Sequence, residues 1–538
     1  MALGPLDRRG APVPPRPRRS ALALATVTAV AALALLVGIA IAAVALSHSS
    51  LRASRTALAA LDLGPLGGHL EHAVALTADG RRIPLADHHG ALVPRIPVAP
   101  GELLLVDATV RRPGAIAWAL GGTVHEQLTL RTPVVRIANP WLTLTSADRL
   151  HVTFSSTPAA IALGHRPRRS LHSRTLTLHP RAASGAIEIA AAARPWERLG
   201  SPTLVTWFPH TSVPLLIATP ATTTTISPTA PLRLTFSRPL AAVLGSALPR
   251  LSPQVAGSWS KPNSHTLIFT PSSTGFPLAG SVQVILPTAV ANAQLQRTST
   301  LSWSVAGGTV LRLQQLLAQQ GYLPVSWSPS GAPVAQTASA QLDAAVDPPA
   351  GEFSWRYANA PATLRALWTA GQPSDIVKGA VMVFEQQHGL AVDGIAGPEV
   401  WRALLAAAVS GQHRSGAYDY VLVRASPPET LTLYSGNRVV LRTLANTGIP
   451  GRSTQLGTFA VFEHIRVGTM SGTNPDGSHY HDPGIPWISY FNGSDAIHGF
   501  LRAQYGFPQS LGCVELPYSE AARVWPYTPI GTLVTVAR

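Results

Sequence analysis

The chain has 538 residues, of which 46% are hydrophobic and 12% charged, so it holds enough apolar material for several buried cores and wholesale disorder is excluded. Its balance is basic, +15 at neutral pH. The arginines are scattered and no basic-aromatic module accompanies them, which argues against nucleic acid and for anionic polymers of a cell envelope as partners.

Residues 1–20 form a basic tail, with Arg8, Arg9, Arg16, Arg18 and Arg19 opposed by Asp7. Residues 21–46 are uncharged and almost entirely Ala, Leu, Val and Ile. At about 1.5 Å per residue this run is long enough for a hydrocarbon core of roughly 30 Å. It is longer than the core of a cleaved signal peptide, and no sharp cleavage site follows it. The expectation is a transmembrane signal anchor. The positive-inside rule then keeps the N-terminus cytoplasmic and the rest of this single-pass cell-membrane protein extracytoplasmic.

Residues 47–218 read as a β-rich region without legible chemistry. A short helical or linker segment runs to about Gly68, followed by strands such as "GELLLVDATV" and "SGAIEIAAAA". The Thr-rich link "PATTTTISPTAP" opens residues 219–306, where "LRLTFSRPL", "SVQVILP" and "TSTLSWSV" have the spacing of a β-sandwich. This stretch resembles bacterial Ig-like modules, whose usual role is that of a spacer.

From residue 307 to 410 the period becomes helical. "VLRLQQLLAQQGYL" puts Val310, Leu313, Leu316 and Leu317 on one face. "SDIVKGAVMVFEQQHG" offers Ser374 as N-cap and Val377, Ala380, Val381 and Phe384 as a stripe. "VDGIAGPEVWRALLAA" gives an Asp393-Gly394 turn and Pro398 at a helix start, with Trp401, Leu404 and Leu405 facing inward. "LQQLLAQQGYL" and "FEQQHGLAVDGIAGPEVWRALL" resemble the small three-helix peptidoglycan-binding domain. An insert from Pro324 to about Pro373 departs from that pattern, and its "FSWRYANAPATLRALWTAG" reads as a strand or loop plus a helix. The resemblance implies glycan and stem peptides as partners; the plainer alternative is a helical packing module with no ligand.

Residues 416–538 return to strands: "YVLVRAS", a hairpin about Ser435-Gly436-Asn437, "GTFAVFEHIRVG", "PWISYFNG", "DAIHGF" and "TLVTVA". They contain Cys513, the single cysteine, which excludes an intrachain disulfide or a multi-cysteine metal site. A lone thiol is either a small buried hydrophobe or a reactive group. Reactivity needs a nearby imidazole to take the thiol proton and a third group to orient that imidazole. His498 stands fifteen positions upstream. Gly512 permits a sharp turn and leaves space beside the sulfur.

"IHGF" followed by "SLGCVELP", with "LGTFAVF" before and "PIGTLVTV" after, resembles the L,D-transpeptidase (YkuD-type) catalytic domain. The expected fold is therefore multidomain: an N-terminal transmembrane helix, β-rich modules including an Ig-like sandwich, a small α-helical peptidoglycan-binding domain and a mainly-β catalytic domain. The resemblance implies Cys513 as nucleophile, His498 as base and then acid, and the Gly499 carbonyl as its orienting group. Backbone N–H groups near Gly512 and Cys513 would form the oxyanion hole, and Ser510 would shape the loop. It further implies 3→3 crosslinking of tetrapeptide stems without a cofactor, and inhibition by carbapenem-type β-lactams. An L,D-carboxypeptidase using water, or an inactive wall-binding scaffold, are the alternatives.

Two positions depart from the family pattern. Leu511 replaces the usual histidine two residues before the cysteine, and Glu515 stands where Arg or Asn is common. "GSHYHDPG", with His479, His481 and Asp482, reads as a polar loop lining the cleft rather than a metal site. Tyr480, Trp487 and Tyr490 are then apolar substrate contacts alongside Ser510 and Leu511, the alternative for the three aromatics being simple core packing.

Overall fold

The computed structural model describes residues 20–145, 149–287 and 300–538. The basic tail, residues 1–19, lies outside the described residues. The chain divides into two units, Met1–His210 and Thr211–Arg538.

In the first unit one helix covers Ser20–Leu46. Its Val27–Leu46 portion has a mean hydropathy of 2.8 and is long and apolar enough to cross a membrane. The stretch after it is not the helix or linker expected from sequence. Ser49–Ala53 and Ala59–Leu63 are antiparallel strands, with Leu51 opposite Leu61. Two five-residue strands give too little alternation to read against an Ala-rich background, and burial of Leu51, Leu58 and Leu61 decides the matter. They form the edge of a seven-stranded sheet whose interior holds Ile83, Leu92, Leu104, Val106 and Val110. A separate five-stranded sheet and a two-stranded one follow, around a shared core of Val152, Phe154, Ile161 and Val205.

The second unit begins with a four-stranded and a three-stranded sheet sharing one core of Leu232, Leu234, Phe236, Phe269, Val282 and Trp303. Helix Val310–Gln319 is capped by Thr309, whose hydroxyl accepts Arg312 N–H at 3.1 Å. Helix Asp375–Gln387 is capped by Ser374. Helix Pro398–Ser410 starts on its proline and stops at Gly411, which has φ 67°. The insert folds as a hairpin of Val325–Pro329 with Gly351–Trp355, plus helices Ala338–Val346 and Ala362–Arg365.

Leu316, Leu317, Val377, Val381, Phe384, Trp401 and Leu404 bury their helical faces together with Tyr420 and Leu533 of the C-terminal domain. The helical segment and that domain therefore share a core. Gly379 and Gly531 make the approach possible, since a Cβ on Gly379 would sit 2.5 Å from the Gly531 carbonyl oxygen.

The C-terminal domain packs two sheets. One has five strands, with Asp419–Arg424 central and parallel to Leu533–Ala537. The other has four, in the order Glu463–Thr473, His479–Asn492, Asp495–Gly499, Val514–Leu516. "GTFAVFEHIRVG" splits into Gly457–Ala460 in the first sheet and Glu463–Thr473 in the second. The expected "GSHYHDPG" loop is corrected to strand: only Asn474–Ser478 turn, and His479 to Asp482 pair with the preceding strand. Gly484 at φ 78° and a register shift between Gly468 and Met470 let Pro483 fit inside the ladder.

Candidate active site

Strands Asp495–Gly499 and Val514–Leu516 run parallel, pairing Ile497 with Val514, His498 with Glu515 and Gly499 with Leu516. Side chains alternate across a strand. Ile497, Val514 and Leu516 enter the domain core beside Phe491 and Val534, which turns His498 and Glu515 to the opposite face. Cys513, two residues before Glu515, follows the same face and packs beside Ile485, Ile488, Ala496, Met470 and Tyr490.

His498 is buried, and its Nδ1 lies 3.1 Å from the Gly499 carbonyl oxygen. A carbonyl only accepts, so Nδ1 carries the proton and Nε2 keeps a lone pair. Burial pulls the imidazole pKa below its ordinary value, against the opposing pull of the Gly499 carbonyl and the Glu515 carboxylate. The Cys513 thiol is pushed up to about 12, chiefly by burial, with Asp495 and Glu515 acting in the same direction and the Ala496 amide against them. Its S–H donates to the Ser494 carbonyl at 3.5 Å. Both shifts favour the neutral forms, thiol and imidazole. This suits proton removal by a base better than a preformed thiolate–imidazolium pair.

The turn before the cysteine is fixed from inside. The buried Ser510 hydroxyl donates to the Cys513 carbonyl at 2.5 Å and accepts Gly512 N–H at 3.2 Å. Gly512 has φ 127°, and a Cβ there would come 2.5 Å from Asp495 Oδ1, so only glycine fits. The Gly512 amide is committed to Ser510. The Asp495 carboxylate accepts Gln455 N–H at 3.2 Å and Asn492 Nδ2 at 3.3 Å. Leu511 is half-buried in the same turn.

Glu515 is buried, and its two carboxylate oxygens accept from Nη2 and Nε of Arg502, at 2.7 and 2.8 Å. Arg502 in turn stacks over Phe500 at 4.6 Å. The carboxylate therefore faces His498 as half of a neutralised pair.

Tyr480 and Tyr490 lie close enough to Cys513 for its charge to raise their phenol pKa values, after burial. Trp487 lies elsewhere. It packs against the domain core and meets Tyr518 edge-on at 6.2 Å. His479 and His481 are exposed on the hairpin. Among the described residues no group of three or more His, Cys, Asp or Glu is arranged to hold a metal. The structure thus gathers Cys513, His498, Gly499, Ser510, Leu511, Gly512, Tyr480 and Tyr490, and leaves Trp487 apart. Sequence reading passed over Asp495 and Arg502, although both flank His498 in "DAIHGFLR". Nothing in that string tells which carboxylate meets which cation.

Cys513 and His498 thus mark a candidate site at the ends of two adjacent strands of a two-sheet β domain. Residues 418–536 match the family model of the L,D-transpeptidase catalytic domain, and residues 369–404 that of a putative peptidoglycan binding domain. The C-terminal domain is accordingly L,D-transpeptidase-like. Similar solved structures include an L,D-transpeptidase from Mycobacterium smegmatis, at 12% identity over 61% of this chain and 100% of that one, with TM-score 0.21. Another is L,D-transpeptidase 3 from Mycobacterium tuberculosis with a faropenem-derived adduct, at 12% identity over 60% and 97%, with TM-score 0.21. The catalytic domain of an E. faecium L,D-transpeptidase matches at 27% identity over 22% and 95%, with TM-score 0.20. Among curated proteins nothing matches.

Proposed function

We propose that this protein is a membrane-anchored peptidoglycan L,D-transpeptidase that forms 3→3 crosslinks through a Cys513 acyl-enzyme. One observation carries the reading. His498 pairs with Glu515 across two adjacent parallel strands, Cys513 stands immediately before the second of them, and the Gly499 carbonyl holds the imidazole in the tautomer of a base. Leu511, in place of the family's usual histidine, takes no part in this proton transfer.

The chemistry follows from those atoms. His498 Nε2 takes the thiol proton as Sγ attacks the carbonyl carbon of the third stem residue. The Cys513 amide donates to the resulting oxyanion. Collapse breaks the bond to the terminal D-Ala, whose amine receives the proton from His498. The side-chain amine of a second stem then attacks the thioester and gives its proton to His498, and the departing Cys513 sulfur takes that proton back, leaving the 3→3 crosslink and the free thiol. Water at this step would make the enzyme an L,D-carboxypeptidase. Ser510 and Gly512 fix the turn, and Leu511, Tyr480 and Tyr490 border the entering peptide. Trp487 supports the hairpin from behind.

In this reading residues 21–46 anchor the chain with its N-terminus in the cytoplasm. Residues 47–218 and the Ig-like 219–306 span toward the wall, 307–410 bind glycan, and 416–538 catalyse. Carbapenem-type β-lactams, whose strained carbonyl accepts a thiolate, are the expected inhibitors. The test is muropeptide analysis after incubation with a tetrapeptide donor. A dimer linked 3→3 that disappears in Cys513→Ala supports crosslinking. Tripeptide alone assigns the water-using reading. No change in the donor returns the chain to a wall-binding scaffold.

A further inference from the structure

The helix Ser20–Leu46 ends directly against the first sheet, through backbone. Leu66 N–H donates to the Leu46 carbonyl at 3.0 Å, and Gly64 N–H to the His48 carbonyl at 2.8 Å. Loop Gly64–Gly68 therefore caps the last turn of the helix. On its other side the loop presses on Arg111 and Arg112, where a Cβ on Gly68 would overlap the Arg111 carbonyl oxygen. Two residues further on, the chain enters helix Gly114–Leu120, which joins strands Leu103–Arg111 and Thr123–Arg131. That helix is about 10 Å long. The helix exit, the loop and the short helix thus occupy one end of one sheet.

This end is apolar on its outside. Trp118 is 84% exposed, Leu46 44%, Leu120 39% and Leu66 37%. Single exposed leucines are ordinary on a surface; four large apolar groups around a helix exit are not scatter. Arg112 is spent internally on the Leu120 carbonyl at 2.6 Å, while Arg111 reaches outward at 61% exposure, 3.7 Å from Glu71. A tryptophan and an outward arginine beside leucines at the end of a span is the chemistry of a membrane–water interface.

We propose that this end of the sheet is seated on the bilayer surface. Trp118, Leu66 and Leu120 enter the headgroup–acyl boundary of the leaflet from which the helix emerges, and Arg111 meets lipid phosphates. The inference rests on the reading of Ser20–Leu46 as an uncleaved span. Lipid is the occupant because the loop bearing Leu66 is bonded to the final turn of that span. The helix itself therefore sets the height of the loop at the interface, and any other partner would compete with lipid there. The sheet is then held on the membrane at a second point rather than swinging from one tether.

The test uses the full chain in a Cys513→Ala background, which leaves one new thiol at a time for a bimane label. The positions are Trp118→Cys, Leu66→Cys, Val44→Cys inside the span, and Ala78→Cys. Ala78 lies in the turn at the far end of strand His69–Thr77. That places it roughly 30 Å from the proposed contact. Each labelled protein is reconstituted in nanodiscs of phosphatidylglycerol and phosphatidylcholine carrying a doxyl group near the headgroup. The expected result is emission roughly twofold lower at positions 118, 66 and 44, and unchanged at 78. Quenching at 44 with none at 118 and 66 overturns the proposal and leaves the anchor standing. No quenching at 44 removes the anchor reading and the proposal with it. A blue-shifted, doxyl-insensitive label at 118 that depends on the number of protein copies per disc assigns the surface to a second copy, which also overturns it.

Discussion

At the scale of single residues, the site works by withholding charge. Burial depresses the His498 pKa and raises that of Cys513 to about 12. The ascending limb of kcat/KM should therefore fall below the ordinary histidine value of about 6.5, with the rate rising as His498 loses its proton. Folding stability carries the same sign. Between the depressed and the ordinary pKa the unfolded chain binds more protons than the folded one, so stability is lost as pH falls below about 6.5. Urea midpoints between neutral and acidic pH measure that loss. His498→Ala should lower turnover by about 10²–10⁴-fold, whereas His479→Ala and His481→Ala should stay within about tenfold of wild type. Full activity in His498→Ala would remove it as the base. Arg502→Gln strips the Glu515 carboxylate of its partner while it remains buried. It should cost about 2–3 kcal/mol, read as a lower urea midpoint, and move the His498 limb to higher pH. Glu515→Gln should move the limb the other way.

At the scale of elements, the site depends on turns that admit no side chain. Gly379→Ala would drive a Cβ against the Gly531 carbonyl in the seam between helix Asp375–Gln387 and the C-terminal sheet. A backbone atom cannot step aside, so a loss of about 1–3 kcal/mol is expected, visible as a lower Tm. Elements with their own local chemistry were legible from sequence. Ser374 and Pro398 mark helix starts and the Gly436-Asn437 turn a hairpin, and each stands where its residue type demands. What was not legible depended on partners distant in the chain. "GTFAVFEHIRVG" reads as one strand, yet its halves serve different sheets. The polar residues after Ser478 look like a loop until the preceding strand pairs with them. Trp487, one position out of step with Ile488 and Tyr490, falls on the other face of its strand and packs against the domain core, away from the thiol. For the candidate site, Cys513 and His498 could be singled out from their flanking strings. The Arg502–Glu515 pair was not, since it is created by strand register.

At the scale of the molecule, the helical segment and the C-terminal domain are one folding unit rather than beads on a string. Tyr420 and Leu533 lie in the same core as Leu316, Phe384 and Trp401. A fragment beginning at Gly416 exposes both, at roughly 1.5–3 kcal/mol each. It should melt well below a fragment that begins at Gly307. Equal melting temperatures for the two would separate the modules. Shared packing also ties the proposed wall-binding segment to the catalytic domain, so glycan contact and acyl transfer would occur on one rigid body. The central claim is that Cys513 is a working nucleophile in that body. Intact-mass measurement after incubation with a carbapenem tests it most directly. The account predicts a mass gain of one inhibitor per chain that is lost in Cys513→Ala. An unmodified chain whose thiol is free, or an adduct that persists in Cys513→Ala, would contradict it.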